Sequence, residues 1–493
     1  MDSLYQTENF QLSKSFADIS NYLSNEATNQ PLHEVEDQLF KHLLKIGKIL
    51  LNGFLMNKGS GKKDSFVTQV GEKIPYHSTK ERKYLSIFGD LKISRAYFWK
   101  SGMQGHCPLD AELNLPAHHH SYLLDKWIQR RVTEGPYEES IESICDLLDQ
   151  KVTKRLVQQI TAEASQEVES YYSQKTDFED EGSHLVVQAD CKGVIMVPQE
   201  RPEAKSKEEF VRRAKGVSKK GIRRDAVVTT DFSVDPVHRT PEELLEGLML
   251  INSDRKKEEK VSQTKKQNCR NKQVAGTMFG KEKAFKDLAD RLKARDPHCK
   301  KPIFILIDGA PSLEKGLKKE FREREWLTRV RGCCLDIVHA TEYLWDASTA
   351  LYGETSNRRV FWVRAALLKV LNSKIETVIK ELKKKIAKGA LSAFVVRRLT
   401  RSITYFENHK HMMDYKQYLN EGYPIASGAI EGACNTLVKD RTDRSGMQWT
   451  KKGAAAVINL RSVQCNKDWN EYWNYYIRKQ SQKLYGRDEM LAA

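Results

Sequence analysis

Three carboxylates stand where reactive groups are commonly placed. Asp190 closes the apolar run HLVVQAD and Asp308 closes PIFILID, two segments with the length and composition of strands. In open α/β sheets ligands gather at the carboxyl ends of strands, so an acid there projects from a rigid element into a crevice. If the two strands are neighbours, the two acids face one site. Close carboxylates repel unless a cation lies between them, and Mg²⁺ takes one or two carboxylates together with water and phosphate oxygens. Paired ions about 3.5–4 Å apart clamp the attacking and leaving oxygens of an in-line phosphoryl displacement. The plainer alternative for either aspartate alone is a strand ending at a turn. Glu431, within SGAIEGACNTLVKDR, falls in the first turn of a predicted helix with Ser427 as its N-cap, where the macrodipole favours negative charge. Gly428, Ala429, Gly432 and Ala433 around it leave room for close approach of a neighbour or a substrate backbone. Asn435 and Lys439 follow on the same face.

The elements that must position these acids can be read from periodicity. Residues 1–82 predict an N-terminal helical region, with Phe40, Leu43, Leu44, Ile46, Leu50 and Leu51 at near-helical spacing, followed by a Gly/Lys/Ser-rich loop over 57–82. Residues 83–120 predict a small β-hairpin region, because YLSIFGDLKISRAYFW alternates apolar and polar around Gly89-Asp90. Residues 121–180 predict helices: Tyr137–Leu148, a turn at Asp149–Val152, then Thr153–Ser165 with Thr153 as N-cap. From His184 the pattern changes to strands, HLVVQAD, VIMVP, AVVTTDFSVD, PIFILID and CCLDIV, broken by helical stretches, with 240–300 mostly helical. That alternation predicts an α/β domain, its first part over 181–340. Residues 341–420 show no strand and predict a helical insertion, and 421–493 return to the domain with the Glu431 helix and an aromatic C-terminal helix. No fixed-period repeat is present.

Composition narrows the partners. The 493 residues carry 82 Lys+Arg against 66 Asp+Glu, a formal charge of +16, which favours a polyanionic partner. Apolar residues make up 40% of the chain, enough for a core and against wholesale disorder. No apolar run reaches the roughly eighteen residues of a spanning helix, and MDSLYQTENF lacks the basic and apolar regions of a secretion signal. The 9 cysteines are scattered without a C-x-x-C pair, which fits a reducing cytosol.

Five blocks, QADCKG, LIDGAPSL, LDIVHATEYLW, YPIASGAIEGACNTLVKDR and SGMQW, occur in this order and together resemble the Kra-type insertion-sequence transposases, relatives of the Mutator-like group of DDE transposases. EGLM after RTPEE and the late DWNEYW match the same style, and the resemblance covers most of 80–475. It implies an RNase H-like catalytic core with an all-helical insertion, and a triad of Asp190, Asp308 and Glu431 holding Mg²⁺ or Mn²⁺. It implies a mobile-element enzyme that cleaves DNA at terminal inverted repeats and transfers the strand to target DNA, cytoplasmic and nucleoid-associated. A homodimer is expected because two ends must be joined. An Asp-x-x-His element falls on Asp336 and His339, with His339 either contacting the scissile phosphate or packed at a strand–helix junction. Alternatives are a non-catalytic DNA-binding regulator derived from such an enzyme, and an RNase H-like nuclease without strand transfer.

Candidate DNA contacts follow from charge. KGVSKKGIRR supplies Lys215, Lys219, Lys220, Arg223 and Arg224 without an acid, suited to salt-sensitive phosphate contacts. Lys439, Arg441 and Arg444 follow Glu431 closely. Lys154 and Arg155, with Gln158 and Gln159, lie on the second helix of a helix-turn-helix-like pair, for which a plain helical hairpin is an equal reading. Trp345 and Trp362 are either stacking platforms for an extruded base or core residues. His106, Cys107 and His118–His120 offer zinc-type ligands where relatives carry a C-x-x-C ribbon, but Lys100-Ser101-Gly102-Met103 replaces that motif.

Overall fold

A computed structural model describes residues 2–68, 71–176, 178–201, 222–251, 267–389, 391–444 and 446–486. Among the described residues the chain is mixed α/β and divides into two compact units, one of 1–164 with 469–493 and one of 165–468. No described helix is long and apolar enough to cross a membrane.

The larger unit is organised by a five-stranded sheet whose strands are β4 (His184–Ile195), β5 (Arg223–Val234), β6 (Arg270–Thr277), β7 (Ile303–Ile307) and β8 (Val330–Leu335). Their order is β6-β5-β4-β7-β8. The β4–β5 and β5–β6 pairs are antiparallel, and β4–β7 and β7–β8 are parallel. The IFILI of β7 is buried throughout, the continuous apolar run expected of a central parallel strand covered on both faces. Helices Lys281–Arg295 and Pro311–Glu323 feed Leu288, Leu292, Leu313, Leu317 and Phe321 into that core. On β6, a side chain at Gly276 would strike Ile458 at 2.8 Å and Leu437 at 3.1 Å. Helix Lys451–Cys465 and the segment after Glu431 therefore lie directly on the sheet at a position only glycine permits.

Between β8 and the Glu431 helix run the helices Ile337–Tyr352, Asn357–Leu371, Ile375–Ala387, Ala393–His409 and Tyr415–Asn420, as the strand-free pattern of 341–420 predicts. Their apolar faces join the same core through Leu344, Leu367, Leu382, Leu399 and Phe406.

Several boundaries differ from expectation. HLVVQAD and VIMVP belong largely to one strand, since β4 continues through Gly193 to Ile195 on the hydrogen bonds of β5. Asp190 therefore lies inside a strand and does not close it. The 240–300 region contains β6, whose RNKQVAGT is too polar to announce a strand, as suits the sheet's edge. CCLDIV ends as a strand at Leu335, and Ile337 and Val338 already belong to a helix.

In the smaller unit, helices Asp2–Asn21 and Leu32–Lys58 precede a three-stranded sheet of β1 (Ser65–Val67), β2 (Lys73–Ser86) and β3 (Gly89–Phe98). The 57–82 segment is thus not all loop. Its β1 and most of β2 were hidden by the lysines and polar residues of strands with exposed positions. The hairpin turns at Ile87-Phe88, because Ser86 pairs with Gly89, rather than at Gly89-Asp90. Helix Tyr137–Leu148 has the predicted bounds, and the next runs Lys154–Ser165, immediately after Thr153. The C-terminal Trp469–Tyr485 helix buries Trp469, Tyr472, Trp473 and Tyr476, with Trp473 Nε1 donating to Tyr122 O at 3.0 Å.

Candidate functional site

The parallel ladder of β4 with β7 ends at the Ala189–Ile307 pair. Asp190 and Asp308 are the next residues of each chain segment, so they sit side by side where the two strands part, both partly buried. Although β4 continues on its other side, Asp190 is terminal with respect to the strand that carries Asp308. The crevice argument therefore holds for the pair for a reason that the strand lengths alone do not give.

Local structure fixes each acid. Asp190 Oδ1 accepts from Cys191 N at 2.6 Å, and Asp190 Oδ2 accepts from the Cys434 thiol at 3.4 Å. Asp308 Oδ1 accepts from Ala310 N at 2.9 Å, an Asx turn that leads into helix Pro311–Glu323 with proline in its first turn. Gly309 within that turn has φ +90°, and a side chain there would meet Leu335 Cδ1 at 2.7 Å and His409 Cδ2 at 2.8 Å. The turn is strapped by the helical insertion. Tyr405 donates to Asp308 O at 3.3 Å, and His409 Nε2 lies 2.7 Å from Gly309 O. Tyr405 in turn stacks on Tyr343 with centroids 3.6 Å apart. The insertion thus supports the loop that bears an acid.

The electrostatics report the crowding of negative charge. Burial pushes the Cys191 thiol up to about 11, with Asp225, Asp190 and Asp308 adding to the shift and Lys281 opposing it. The Cys434 thiol is driven far up, first by burial and then by Asp190. A negative site disfavours further anions, so both thiols stay neutral beside it.

Glu431 lies on the short helix Gly428–Ala433, which passes into a π-turn at Cys434–Lys439. Its side chain is exposed. Cys434, three residues on and so on the same side of the helix, is the residue that touches Asp190. Among the described residues no group of three His, Cys, Asp or Glu stands close enough to hold a metal ion. The structure therefore brings Asp190 and Asp308 together but does not gather Glu431 with them into a closed cage. For a hard divalent cation the pair still fits, since Mg²⁺ commonly takes only one or two protein carboxylates.

Ser427 does not cap the Glu431 helix with its side chain. Its hydroxyl donates to Asp336 Oδ2, and its amide to Asp336 Oδ1 at 3.2 Å. Asp336, itself 6% exposed, also accepts from Val338 N at 3.0 Å and so caps helix Ile337–Tyr352. One buried carboxylate thereby ties the start of the insertion to the start of the Glu431 helix. Burial pushes Asp336 above the usual carboxylate range, against the pull of those three donors. Its folded value being raised, the native state holds the proton more tightly than the unfolded chain, so this residue's contribution to stability falls as pH rises through that range. Ser427→Ala removes the hydroxyl donor from a buried acceptor and is expected to cost about 1.5–3 kcal/mol. Denaturant unfolding measures the loss, and a change of a few tenths would show that the tie is not structural.

The remaining candidates are scattered. His339 is half-exposed with Nδ1 3.5 Å from Glu342 Oε2, and Asp336 takes its hydrogen bonds from Val338 and Ser427 instead. Lys215, Lys219 and Lys220 lie outside the described residues. Arg223 donates to Gly193 O at 2.7 Å and pairs with Asp443 at 3.0 Å, and Arg224 donates to Glu200 O at 2.6 Å. Lys439 and Arg444 are exposed. Arg441 is a correction: it is fully buried in the short helix Asp440–Thr442, because its guanidinium packs over the Trp449 ring, 4.8 Å from the centroid. Lys154 pairs with Glu138, while Arg155 is exposed. Trp345 and Trp362 pack half-buried against the core, with Arg359 stacked 5.2 Å from Trp345. His118 and His120 engage Asp125 at 3.3 and 3.0 Å. Sequence reading missed Cys434, Tyr405 and His409. Only Cys434, at three residues from Glu431, carried a positional signal. Compared with protein-family models and with curated proteins, the chain matches none.

Proposed function

We propose that the chain is a DDE-type transposase that cleaves DNA at transposon ends and transfers the strand, using Mg²⁺ or Mn²⁺ held by Asp190, Asp308 and Glu431. The observation that carries this reading is the adjacency of Asp190 and Asp308 at the end of the β4–β7 ladder. The sheet supports an RNase H-like reading of the core. Its first strand is central, with an antiparallel β5 and β6 on one side and parallel β7 and β8 on the other.

Asp190 and Asp308 supply paired negative charge on rigid elements, the arrangement a catalytic metal site needs. A divalent ion bound there supplies Lewis-acid charge to the scissile phosphate and acidifies the attacking water or 3′-hydroxyl. The chain's own part is positioning. The Asp308 turn is fixed by Ala310, Tyr405 and His409, and Asp190 is fixed by Cys191 and Cys434. Glu431, on the short helix Gly428–Ala433, would be the third acid to hold the cation. The basic surplus serves the DNA backbone, and two copies of the chain act on the two ends.

The test uses the full chain with Mg²⁺ and duplexes carrying pre-cut ends of the DNA segment that encodes it. Covalent joining of the 3′ end to a target plasmid is the expected result. Cleavage without joining would reduce the reading to a nuclease, and binding with neither reaction would leave a regulator.

A further inference from the structure

We propose that the open end of the β2–β3 hairpin is a stacking surface for an unpaired nucleic-acid strand. The inference rests on the proposed nucleic-acid function for its partner class, but not on the carboxylate site.

The pleat separates two faces here. Phe98 is buried with Ile74 and Ala96, so its neighbours Tyr97 and Trp99 project to the opposite side. The register slips between Tyr76 and Ser78, leaving His77 as an extra residue. This β-bulge re-aims its ring. The His77 ring meets Tyr97 at 5.9 Å and Trp99 at 5.4 Å, edge-on to both. Lys80 Nζ lies 3.2 Å from the Tyr97 ring centroid. Lys80, Tyr97, His77 and Trp99 thus form one continuous run on one face, and Trp99 keeps 38% of its surface exposed.

The other end of the same face is closed. Ile93 packs with Leu109 and Leu115, and Arg82 and Arg95 share Asp110. Only the Trp99 end is open, and it lies beside Lys80, which sits over Tyr97, and Lys100, the next residue in the chain. Lys62, Lys63, Lys73, Lys80 and Lys100 are exposed, and none is ion-paired to a described residue. Lys62 Nζ stands 4.8 Å from the Tyr76 ring, which packs with Phe98 on the opposite face. Asp64, Glu72 and Glu81 lie near them in sequence, and Glu81 is paired with Lys92 at 3.5 Å.

Tyr97 is half-buried under Lys80 and against Gly105, so the exposed rings are His77 and Trp99, and with unpaired lysines beside them they fit a ligand that presents π-faces and regularly spaced negative charge. That is a nucleic-acid strand with splayed bases. A duplex hides its base faces, and so the surface selects unpaired strand, as at a frayed or nicked end.

The experiment uses the full chain in EDTA, so that strands stay intact, and measures anisotropy of a labelled single-stranded oligodeoxynucleotide and of the same strand annealed to its complement. The single strand is expected to bind more tightly. Trp99→Ala should weaken it about tenfold, from a stacking contribution of about 1–3 kcal/mol per base, and Trp99→Phe should recover most of the loss. Lys80→Ala should weaken binding and flatten its salt dependence by about one phosphate contact. Wild-type affinity in both alanine variants would overturn the proposal. So would equal losses on duplex, absence of single-strand binding, or preferential binding to phosphatidylserine vesicles. Metal-dependent cleavage, assayed separately, reports on the carboxylate reading, so the two can fail independently.

Discussion

Asp308→Asn is expected to lower metal-dependent strand cleavage by about three orders of magnitude while binding to DNA ends survives. The substitution keeps the shape of the side chain and an oxygen able to accept from Ala310 N, so the turn through Gly309, with its φ of +90°, persists. What disappears is one of two adjacent negative charges. A bound cation contributes several kcal/mol to the transition state, and each 1.36 kcal/mol lost is tenfold in rate. Asp190→Asn should behave alike, because the two acids act as one unit and their effects are not additive. The measurement pairs an excision assay from a donor plasmid with a gel-shift assay on the same ends. Retained excision in Asp308→Asn would falsify the metal-site assignment, and joint loss of excision and binding would point to a folding defect.

A second large effect lies away from the site. Asp231 on β5 is fully buried and accepts from Arg291 Nε at 2.9 Å and Arg295 Nη1 at 2.7 Å. Arg291 Nη2 continues to Thr229 Oγ1 at 2.9 Å, and Arg295 Nη2 to Glu181 Oε1 at 2.5 Å. Glu181 also faces Lys301 Nζ at 3.3 Å. Asp231→Ala leaves two buried guanidinium groups without their shared carboxylate and is expected to destabilise this unit by about 3–5 kcal/mol. Urea unfolding of the full chain gives the value. Because β5 pairs with the strand that bears Asp190, cleavage should fall at temperatures where the wild type is still folded. A loss below about 1 kcal/mol would mean that water or repacking replaces the carboxylate.

Neither the Asp231 network nor its cost is legible in the sequence. Asp231 sits in AVVTTDFSVD, and its arginines lie on a helix some sixty residues later with no pattern joining them. Strands are legible where burial imposes a strong apolar signal, as in IFILI. They are hidden where edge position or solvent exposure permits polar residues, as in RNKQVAGT and the lysine-rich β2. Asp190 and Asp308 were found through their place after apolar runs, which reflects real physics, since such runs are the buried strands of the parallel ladder. The reason their carboxylates share a crevice, the end of pairing at Ala189–Ile307, depends on strand order, and local pattern does not encode order. The same limit explains Arg441. Its charge suggests a surface contact, but the guanidinium is covered by Trp449, eight residues on, and nothing in VKDRTDR announces that packing.

The tie between Asp336 and Ser427 has a wider consequence. Ile337 N also donates to Ile425 O at 2.9 Å, so the chain departs from the sheet and comes back to it through a single hydrogen-bonded knot. Everything in between is an excursion whose two ends are already closed, and closing a longer loop costs only slowly more entropy. The length of that excursion therefore adds little to the cost of closing it, while its helices are held by the core they share with the sheet. What a replacement must reproduce is the apolar face that completes the core and the side chains that reach back to the sheet: Tyr405 to Asp308 O, His409 to Gly309 O, Tyr415 to Leu335 O and Tyr418 to Cys333 O.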